Sequence, residues 1–221
     1  MAEEEVVLLS VWPSYYGMRV NIALEEKGIN YEFKEEPEVP GKSPLLRQMN
    51  PIHKKVPVLI HNGRPICESL IILEYIDEIW SHKSPLLPSN PYQRSQARFW
   101  ADYMDKKVFP SARRIWMSKG EEQESAKEEF MEGLKVLEGE LGEKSYFGGE
   151  TMGFIDVSLV PMSSWFYALG TCANFRLEAE CPILVNWAKR CMQKESVSKS
   201  LPDPHKIYDL VLQIRKWHGI D

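Results

Sequence analysis

The sequence lacks the features that mark membrane proteins, zinc proteins and nucleic-acid-binding proteins. No apolar stretch approaches the ~18 residues that a membrane-spanning helix needs. The four cysteines, at positions 67, 172, 181 and 191, form no Cys-x-x-Cys pair and have no metal-ligand spacing. The net charge is −5 and basic residues form no long block, which argues against nucleic acid as a partner. We therefore expect no membrane, metal or nucleic-acid partner, and cysteines that are reduced and mostly buried.

The first five residues include three glutamates and no basic residue. Residues 1–5 are acidic, the opposite of a secretory or organellar targeting peptide, and this predicts a cytoplasmic (cytosolic) protein. Of the 221 residues, 43% are hydrophobic and 27% are charged, as in an ordinary soluble globular protein. This length suggests one large domain or two small ones.

The region around Asn62-Gly63 carries the strongest structural signal in the chain. Two short apolar runs flank this dipeptide, a pattern typical of a β-hairpin with a two-residue turn. Glu68 and Ser69 follow the second run, where a helix is expected to begin. Helix N-termini attract carboxylates, and a carboxylate side chain beside one can hold an ammonium group. The segment therefore predicts recognition of an amino acid or a short peptide.

The first 80 residues predict an α/β domain with the element order β-α-β-α-β-β-α. Strands are predicted at 6–11, at 31–34 and in the hairpin, and helices at 15–27, 43–49 and 69–80. The first β-α-β unit implies parallel pairing, whereas the hairpin implies antiparallel pairing. The histidines at positions 53 and 61 are expected in loops without a role.

Strand signals disappear after residues 81–90, which contain Pro85 and Pro88 and are interpreted as a linker. Residues 91–221 predict an all-helical domain. A long helix at 92–119 should kink or break at Pro110 and end at Gly120. Residues 121–141 carry an apolar stripe at helical spacing, and the nearly continuous apolar run at 154–169 predicts one buried central helix. Further helices are predicted at 182–194 and 207–217.

Several motifs, in this order, resemble those of cytosolic glutathione transferases, most of all the plant tau class. They are Trp12-Pro13-Ser14, His53-Lys54-Lys55-Val56-Pro57-Val58-Leu59, Ile66-Cys67-Glu68-Ser69-Leu70, Tyr146-Phe147-Gly148-Gly149 and Gly153-Phe154-Ile155-Asp156. The resemblance covers essentially the whole chain. It implies a fold of class α/β plus all-α, with a thioredoxin-like N-terminal domain at 1–80 and an all-helical C-terminal domain at 91–221. It also implies a homodimer, paired near Glu78, Arg94 and Arg98.

The resemblance implies that Ser14 is the catalytic residue. A free thiol has a pKa of about 8.5 and only the thiolate is a good nucleophile, so the enzyme must hold glutathione ionised at neutral pH. Ser14 lies at a strand-to-helix junction, where its hydroxyl could donate a hydrogen bond to the sulfur and the helix end adds positive potential. The same position suits a plain N-cap serine, and the residues alone leave both roles open.

Six further residues are implied to bind glutathione: Lys42, Lys55, Val56, Pro57, Glu68 and Ser69. The backbone of Val56 would pair with the cysteinyl unit, next to a cis bond before Pro57. Glu68 would take the ammonium and Ser69 the carboxylate of the γ-glutamyl end. The two lysines would lie near the glycine carboxylate, although a solvated surface position is the usual fate of lysine.

The electrophile is implied to lie on the second domain's face of the cleft, near five residues: Tyr16, Phe109, Arg113, Trp116 and Trp165. Aromatic walls suit flat, apolar electrophiles, and Arg113 could stabilise developing negative charge. Aromatic residues at helical spacing are also typical of a core. The segment 110–112 departs from the pattern of the class and leaves the substrate preference open.

Asp156 matches a buried aspartate that caps the central helix, which is a structural role. Gly153 stands where many relatives carry serine or threonine, so a full capping box is missing and Asp156 should accept N–H groups alone. The resemblance implies no metal and no cofactor, because glutathione is a co-substrate.

The expected activity is conjugation of the glutathione thiolate to apolar electrophiles, with reduction of organic hydroperoxides as a side activity. Thiol–disulfide exchange or dehydroascorbate reduction is a weaker hypothesis, because relatives with that activity carry cysteine at the position of Ser14 and Cys67 is poorly placed. A non-catalytic carrier of apolar ligands stays open, because an intact glutathione site permits both functions.

Overall fold

The computed structural model describes residues 4–37 and 41–220. The chain forms two compact units, an α/β unit up to Leu87 and a helical unit from Pro88 onward. Within the described ranges, every helix is too short or too polar to cross a membrane.

The α/β unit is built on a four-stranded sheet with three helices. The strands are β1 (Val6–Ser10), β2 (Glu32–Glu35), β3 (Val58–His61) and β4 (Arg64–Cys67), and the helices are α1 (Tyr15–Glu26), α2 (Pro44–Met49) and α3 (Ser69–Ile79). The strand order is β2-β1-β3-β4, with β1 parallel to β2 and antiparallel to β3, and with β3 antiparallel to β4. The predicted element order and strand directions are confirmed.

Strand β1 is the centre of the α/β core because both of its faces are covered. Val7 and Leu9 lie on one face in a cluster with Leu46 of α2 and with two residues of β3. Leu8 points to the opposite face, as the period of two requires, and it is fully buried. Helices α1 and α3 pack against each other, and α3 also packs on β3 and β4.

The predicted hairpin turn is confirmed, but the expectation that His61 lies in a loop is wrong. Asn62 and Gly63 have φ values of 50° and 75°, the left-handed conformation that a tight two-residue turn requires at both positions. His61 ends β3 and is buried, with Nδ1 2.7 Å from the Tyr75 hydroxyl and Nε2 2.7 Å from a Glu4 carboxylate oxygen. It therefore belongs to the packing of the unit.

Residues 83–87, within the segment interpreted as a linker, are tied to the α/β unit. Lys27 is buried, and its Nζ lies 2.8 Å from Asp77 Oδ1 and donates to the carbonyls of Lys83 and Ser84. The Asp77 carboxylate in turn accepts the backbone N–H groups of residues 86 and 87, at 2.8 and 3.0 Å.

The helical unit contains nine α-helices within the described residues. They are α4 (Pro91–Tyr103), α5 (Phe109–Met117), α6 (Gly120–Leu141), α7 (Phe154–Leu159), α8 (Phe166–Cys172), α9 (Leu177–Glu180), α10 (Pro182–Cys191), α11 (Glu195–Ser198) and α12 (Pro204–Trp217). The predicted stripe on α6 is confirmed, since Phe130, Leu134, Leu137 and Leu141 are all buried. Helices α9 and α11 escaped sequence analysis because four residues are too few to establish a helical period.

The break predicted at Pro110 is confirmed, and it takes the form of one π-helical turn. Residues Met104–Val108 connect α4 to α5, and the N–H of Phe109 donates to the carbonyl of Met104. Pro110 has no N–H to continue the α-helical ladder, and the Ser111 hydroxyl donates to the carbonyls of Lys107 and Val108 instead. Gly120 begins α6 and does not end the preceding helix, which corrects the sequence analysis.

The prediction of one helix over 154–169 is wrong. Helix α7 ends at Leu159, and a 3₁₀ segment, Val160–Trp165, leads into α8. Pro161 lacks the N–H that an α-helix needs there, and tighter turns follow it. The hydroxyls of Ser163 and Ser164 donate to the carbonyls of Val160 and Pro161, both at 2.7 Å. Helix α7 itself is buried throughout, as the apolar run predicts.

Candidate functional site

Strand pairing brings three separate segments to one end of the sheet, which we call the Ser14 end. Leu9, near the end of β1, pairs with Val58 at the start of β3, and Val58 pairs with Cys67 at the end of β4. The chain therefore leaves β1, enters β3 and leaves β4 at the same end. Ser14 follows β1, residues 56 and 57 precede β3, and residues 68 and 69 follow β4.

Ser14 is the N-cap of α1. Its φ and ψ are −74° and 114°, and its hydroxyl oxygen accepts the N–H of Gly17 at 3.1 Å. A hydroxyl that accepts in this way keeps its own hydrogen to donate. The N-cap role and a donor role toward a ligand are therefore compatible, so the two alternatives left open by the sequence do not exclude each other.

Gly17 lets α1 approach the end of β1. A Cβ atom at this position would overlap the Oγ of Ser10 and lie 3.1 Å from its Cβ. Ser10 is fully buried. The close approach fixes the first turn of α1, and with it Ser14, against the sheet.

The Val56–Pro57 peptide bond is cis, as the resemblance implies. Val56 is half-buried and Pro57 is buried at the entry to β3. Asn50 anchors the preceding loop, because its side-chain nitrogen donates to the Lys55 carbonyl at 2.9 Å and its side-chain oxygen accepts the His53 N–H at 3.1 Å. The backbone of Val56 is thereby presented at the Ser14 end.

Glu68 and Ser69 lie where β4 passes into α3. Glu68 is the N-cap residue, with a φ of 69°, and its side chain is 55% exposed. Ser69 is buried, and its Oγ accepts a hydrogen bond from Arg19 Nη1 at 3.0 Å. An exposed carboxylate therefore stands beside a serine hydroxyl at a helix N-terminus, which suits a ligand that carries both an ammonium and a carboxylate group.

The predicted lysines are exposed on loops next to these segments. Lys42 precedes Ser43, the N-cap of α2, and Ser43 is tied by two hydrogen bonds to the carboxylate of Glu36. The N–H of Glu36 donates to the carbonyl of Ser10, so Lys42 also lies at the Ser14 end. Lys55 directly precedes Val56. The seven residues predicted for catalysis and glutathione binding are thus brought together by the fold of the α/β unit.

Cys67 does not resemble an activated thiol. It is half-buried, and its sulfur lies 3.8 Å from the Met49 carbonyl oxygen. Burial, and then the neighbouring Glu68 carboxylate, raise the pKa of the Cys67 thiol above its usual value. Catalytic cysteines need the opposite shift, which weighs against the disulfide-exchange hypothesis.

The residues predicted for the electrophile are divided between the units. Phe109, Arg113 and Trp116 are spaced i, i+4 and i+7 on α5 and share one face of it. The rings of Trp116 and Trp165 lie 5.8 Å apart, whereas Tyr16 belongs to α1, where the Arg19 guanidinium is 5.3 Å from its ring centre. Three of these side chains are buried and Arg113 is exposed. The helical unit thus brings four of the five residues into one region.

The fold of the whole chain matches that of solved structures. The crystal structure of rice GST1 (OsGSTU1) in complex with glutathione superposes with a TM-score of 0.95 and 44% identity, covering 100% of both chains. The tau-class glutathione S-transferase MiGSTU from mango, Mangifera indica, has a TM-score of 0.89 and 40% identity, covering 95% of this chain and 98% of its own.

Sequence comparison agrees with the structural comparison. The model of the glutathione S-transferase N-terminal domain matches residues 4–78, and that of the C-terminal domain matches residues 99–195. "Probable glutathione S-transferase parA" of Nicotiana tabacum is 64% identical and covers 100% of both chains. Glutathione S-transferase U25 of Arabidopsis thaliana is 58% identical over 99% of this chain and 98% of its own. The chain is a tau-class member of the glutathione S-transferase family.

Sequence reasoning missed two residues that organise the site of this transferase. Arg19 is fully buried and donates to Ser69, yet an arginine on a predicted helix gives no sign that it will be buried. Asn50 directly follows the helix predicted at 43–49, and it holds the loop before Val56. The Arg19 contact joins residues 50 positions apart, so no local pattern could have revealed it. The Asn50 contacts reach residues only three and five positions later, and the local signal for them is an asparagine at the start of a turn.

Asp156 of the transferase holds the start of α7 and accepts four hydrogen bonds. Oδ1 accepts the N–H of Phe147 and the indole N–H of Trp187, and Oδ2 accepts the N–H groups of Gly148 and Gly153, all at 2.8–3.1 Å. Burial raises the pKa of this carboxyl, and the four hydrogen bonds oppose that shift. Asp156 thus makes half of a capping box, and the Trp187 contact was not anticipated.

Proposed function

We propose that this transferase joins the sulfur of glutathione to apolar electrophiles in the cytosol, with Ser14 holding the sulfur as a thiolate. The observation that carries the proposal is the N-cap geometry of Ser14 at the sheet end that also carries Val56 and Ser69. A free thiol, an ammonium and two carboxylates are the groups of glutathione that such a site must meet.

The hydroxyl of Ser14 stabilises the thiolate by donating a hydrogen bond to the sulfur. Its oxygen is already oriented by the N–H of Gly17, which leaves the hydrogen to point toward a ligand. The N-terminus of α1, a helix of 12 residues, adds positive potential at the same place. Both effects favour the charged form and lower the pKa of a bound thiol.

The remaining groups of glutathione match the surrounding side chains in charge and hydrogen-bonding type. Ser69 accepts from Arg19 and so can donate its own hydrogen to the γ-glutamyl carboxylate, while Glu68 takes the neighbouring ammonium. The backbone of Val56 pairs with the cysteinyl unit as an added strand would. Lys42 and Lys55 attract the glycine carboxylate.

The electrophile is held by aromatic side chains and Arg113. The indole N–H of Trp116 is buried and meets no hydrogen-bond acceptor among the described residues, so it can donate to a polar atom of the electrophile. With an aryl halide, the thiol proton leaves to solvent and the thiolate sulfur bonds to the carbon that carries the halogen. The carbon–halogen bond then breaks with its electron pair, giving a thioether, a halide ion and a proton.

We also propose that the transferase is a homodimer. Helix α3 carries the exposed Ile71 and Ile79 near Glu78, and helix α4 carries the exposed Tyr92, two residues before Arg94, and the exposed Phe99, directly after Arg98. Large apolar side chains at 45–71% exposure are typical of surfaces that a partner covers. Light scattering should give twice the mass of one chain, and a monomer at micromolar concentration would refute the proposal.

The test of the catalytic proposal is the pH dependence of conjugation of 1-chloro-2,4-dinitrobenzene by the wild type and by Ser14→Ala. The wild type should show an ionisation well below the free-thiol pKa of about 8.5. Ser14→Ala should raise that pKa and lower turnover about 100-fold, as for loss of one donor to a developing anion. Unchanged turnover would refute the role of Ser14, and glutathione binding without any lowered ionisation would favour a carrier.

Ser43→Ala is the matched control. Ser43 caps α2 by accepting the N–H of Leu46 at 2.9 Å, as Ser14 caps α1, so both variants lose about 1 kcal/mol of capping stability. Ser43→Ala also loses the hydrogen bond to Glu36 beside Lys42, which affects the KM for glutathione but not the ionisation of its sulfur. Only the Ser14 variant should move the ionisation of the bound thiol. Equal shifts in both variants would mean that helix capping, and not a hydrogen bond to sulfur, explains the effect.

A further inference from the structure

Helix α5, which carries three of the residues predicted for the electrophile, ends abruptly at Met117. The next residue, Ser118, has φ and ψ of −135° and 177°, so the chain leaves the helix in an extended conformation. The last four carbonyls of an α-helix have no partner within it. Those of α5, at residues 114–117, therefore need donors from elsewhere if the end of the helix is to be fixed.

Side chains donate to three of these four carbonyls. The Ser118 hydroxyl donates to the carbonyl of residue 114 at 2.6 Å, and Gln123 Nε2 of α6 donates to that of residue 115 at 2.7 Å. Arg215 Nη1 of α12 donates to the carbonyl of Trp116 at 3.0 Å and to that of Ser118 at 3.3 Å. Two of the three donors come from other helices, so tertiary contacts fix the end of α5.

Burial and charge make Arg215 the strongest of these donors. Only 6% of its surface is exposed, although it lies in the last turn of α12 beside the exposed Lys216. A buried guanidinium is costly unless it is hydrogen-bonded, and a charged donor bonds more strongly than a neutral one. The C-terminal end of α5 also carries partial negative charge, which favours a cation. Arg215 therefore holds the backbone of Trp116 more firmly than a neutral side chain could.

Helix α12 also supports the second tryptophan that was predicted for the electrophile. It packs against α5, against α8 and against the 3₁₀ segment that ends at Trp165. The rings of Trp116 and Trp165 lie 5.8 Å apart. A shift of the Trp116 backbone would thus change both the aromatic pair and the position of the buried Trp116 indole N–H.

We propose that Arg215 is a positioning residue for electrophile binding, which it supports by holding the carbonyl of Trp116. The inference rests on the proposed electrophile site, and it gives the last helix of the chain a part in substrate binding. The guanidinium is directed to two carbonyls at the end of α5, so Arg215 acts through Trp116.

The test is the kinetics of Arg215→Met and Arg215→Lys with glutathione and 1-chloro-2,4-dinitrobenzene. Methionine keeps an unbranched apolar stem but donates no hydrogen bond, so the KM for the electrophile should rise about tenfold, as for loss of one charged hydrogen bond. Lysine keeps a charged donor on a shorter side chain and should raise this KM about threefold. The KM for glutathione should stay as in the wild type.

Two results of these kinetics would overturn the proposal. Equal effects of the two Arg215 variants would mean that the hydrogen bonds are not what matters, and a parallel rise in the KM for glutathione would mean a general loss of structure. If Arg215→Met does not fold, Arg215→Lys alone decides, and an unchanged KM for the electrophile in it would overturn the proposal.

Trp187→Phe is the matched control for lost stability. It removes another buried hydrogen bond of the helical unit, from the indole N–H to Asp156 Oδ1 at 2.8 Å, at a position outside α5 and α12. Its thermal midpoint should fall as that of Arg215→Met does, while both KM values stay unchanged. A rise in the KM for the electrophile as large as in Arg215→Met would attribute the effect to stability and overturn the proposal.

A double-mutant cycle with Trp116→Phe tests whether Arg215 acts through Trp116. Phenylalanine keeps an aromatic ring but loses the indole N–H, so Trp116→Phe alone should raise the KM for the electrophile. In that background Arg215→Met should raise it by less than about threefold, because the effects of interacting residues are not additive. A rise as large as in the wild-type background would mean that Arg215 acts elsewhere.

The activity of the wild type separates the two proposals. If the wild type did not conjugate the electrophile, the proposed function and the role of Arg215 that rests on it would both be refuted. If the wild type conjugated it and Arg215→Met matched the wild type in both KM values, only the role of Arg215 would be wrong.

Discussion

The two units of this transferase differ in how many hydrogen bonds their buried polar side chains make within the protein. In the α/β unit, Ser69 is buried at the Ser14 end and receives one hydrogen bond from Arg19, so its own hydrogen can serve a ligand. In the helical unit, Asp156 is fully buried and both carboxylate oxygens accept protein N–H groups. Burial of a polar group alone therefore does not identify a functional site. The useful sign is a buried polar group that still has a hydrogen-bonding position left for a ligand.

The units also differ in how they assemble a site. A sheet whose strands end together brings residues 14, 56 and 69 close, although they are far apart in sequence. In the helical unit, the predicted residues come mainly from one face of α5 and from Trp165. One face of a helix can line a ligand pocket or pack in a core. Substitutions are therefore needed to distinguish these two roles for the residues of α5.

The largest expected effect is on the stability of the helical unit. Asp156→Asn replaces one accepting oxygen with an amide group that faces two N–H donors, and we expect a loss of about 3 kcal/mol or more. Urea unfolding measures it. The exposed Asp209→Asn is the control and should change stability by less than about 0.5 kcal/mol. If Asp156→Asn changed the unfolding free energy as little as the control does, the four hydrogen bonds of Asp156 would not be the stabilising contacts assigned to the helical unit.

The next effect concerns one helical glycine in each unit. Gly17→Ala should cost about 2 kcal/mol, because the new methyl group overlaps the buried Ser10 hydroxyl. Gly139→Ala on α6 meets nothing within 4 Å and should stabilise by about 0.5 kcal/mol. Thermal unfolding of both variants tests this. A Gly17 variant as stable as the wild type would mean that α1 does not need its close approach to β1.

A functional pair separates the two halves of the proposed reaction. Glu68→Gln should raise the KM for glutathione about tenfold, since it leaves the ligand ammonium without its counter-charge. Arg113→Gln should leave that KM unchanged and lower kcat with 1-chloro-2,4-dinitrobenzene. Glu32→Gln removes another exposed carboxylate of the α/β unit and serves as the control. If Arg113→Gln altered the KM for glutathione instead, the division of roles between the units would be wrong.

The smallest effect concerns the pH dependence of stability. Burial, and then Glu138, raise the pKa of Cys181 to about 11. The folded state thus favours the neutral thiol, and this contribution is complete below the ordinary thiol pKa and declines as pH rises toward 11. The unfolding free energy, measured at pH 8 and pH 10 in reducing buffer, should fall less in Cys181→Ala than in the wild type. A fall as large in the variant would contradict this assignment.

Local patterns predicted the elements wherever one signal dominated. The alternation around Asn62-Gly63 predicted the hairpin, and the apolar stripe of α6 predicted its buried face. The prediction failed at residues 154–169, where the apolar run predicts one helix but Pro161 cannot donate the N–H that an α-helix needs. It also failed for His61, because whether a histidine next to a turn is buried depends on Glu4 and Tyr75, which are distant in sequence.

The sequence by itself determined the element order of the α/β unit, the helical nature of the second unit and the family, because each depends on periodicity, turn residues or ordered motifs. Only the tertiary structure decided that Arg19 supports Ser69, that Trp187 shares the Asp156 carboxylate and that α8 and α10 enclose a cavity. The hydrogen bonds of Arg19 and Trp187 join residues 50 and 31 positions apart, and the cavity is lined by residues from position 163 to position 204. Contacts between separate segments leave no periodic trace in the local sequence.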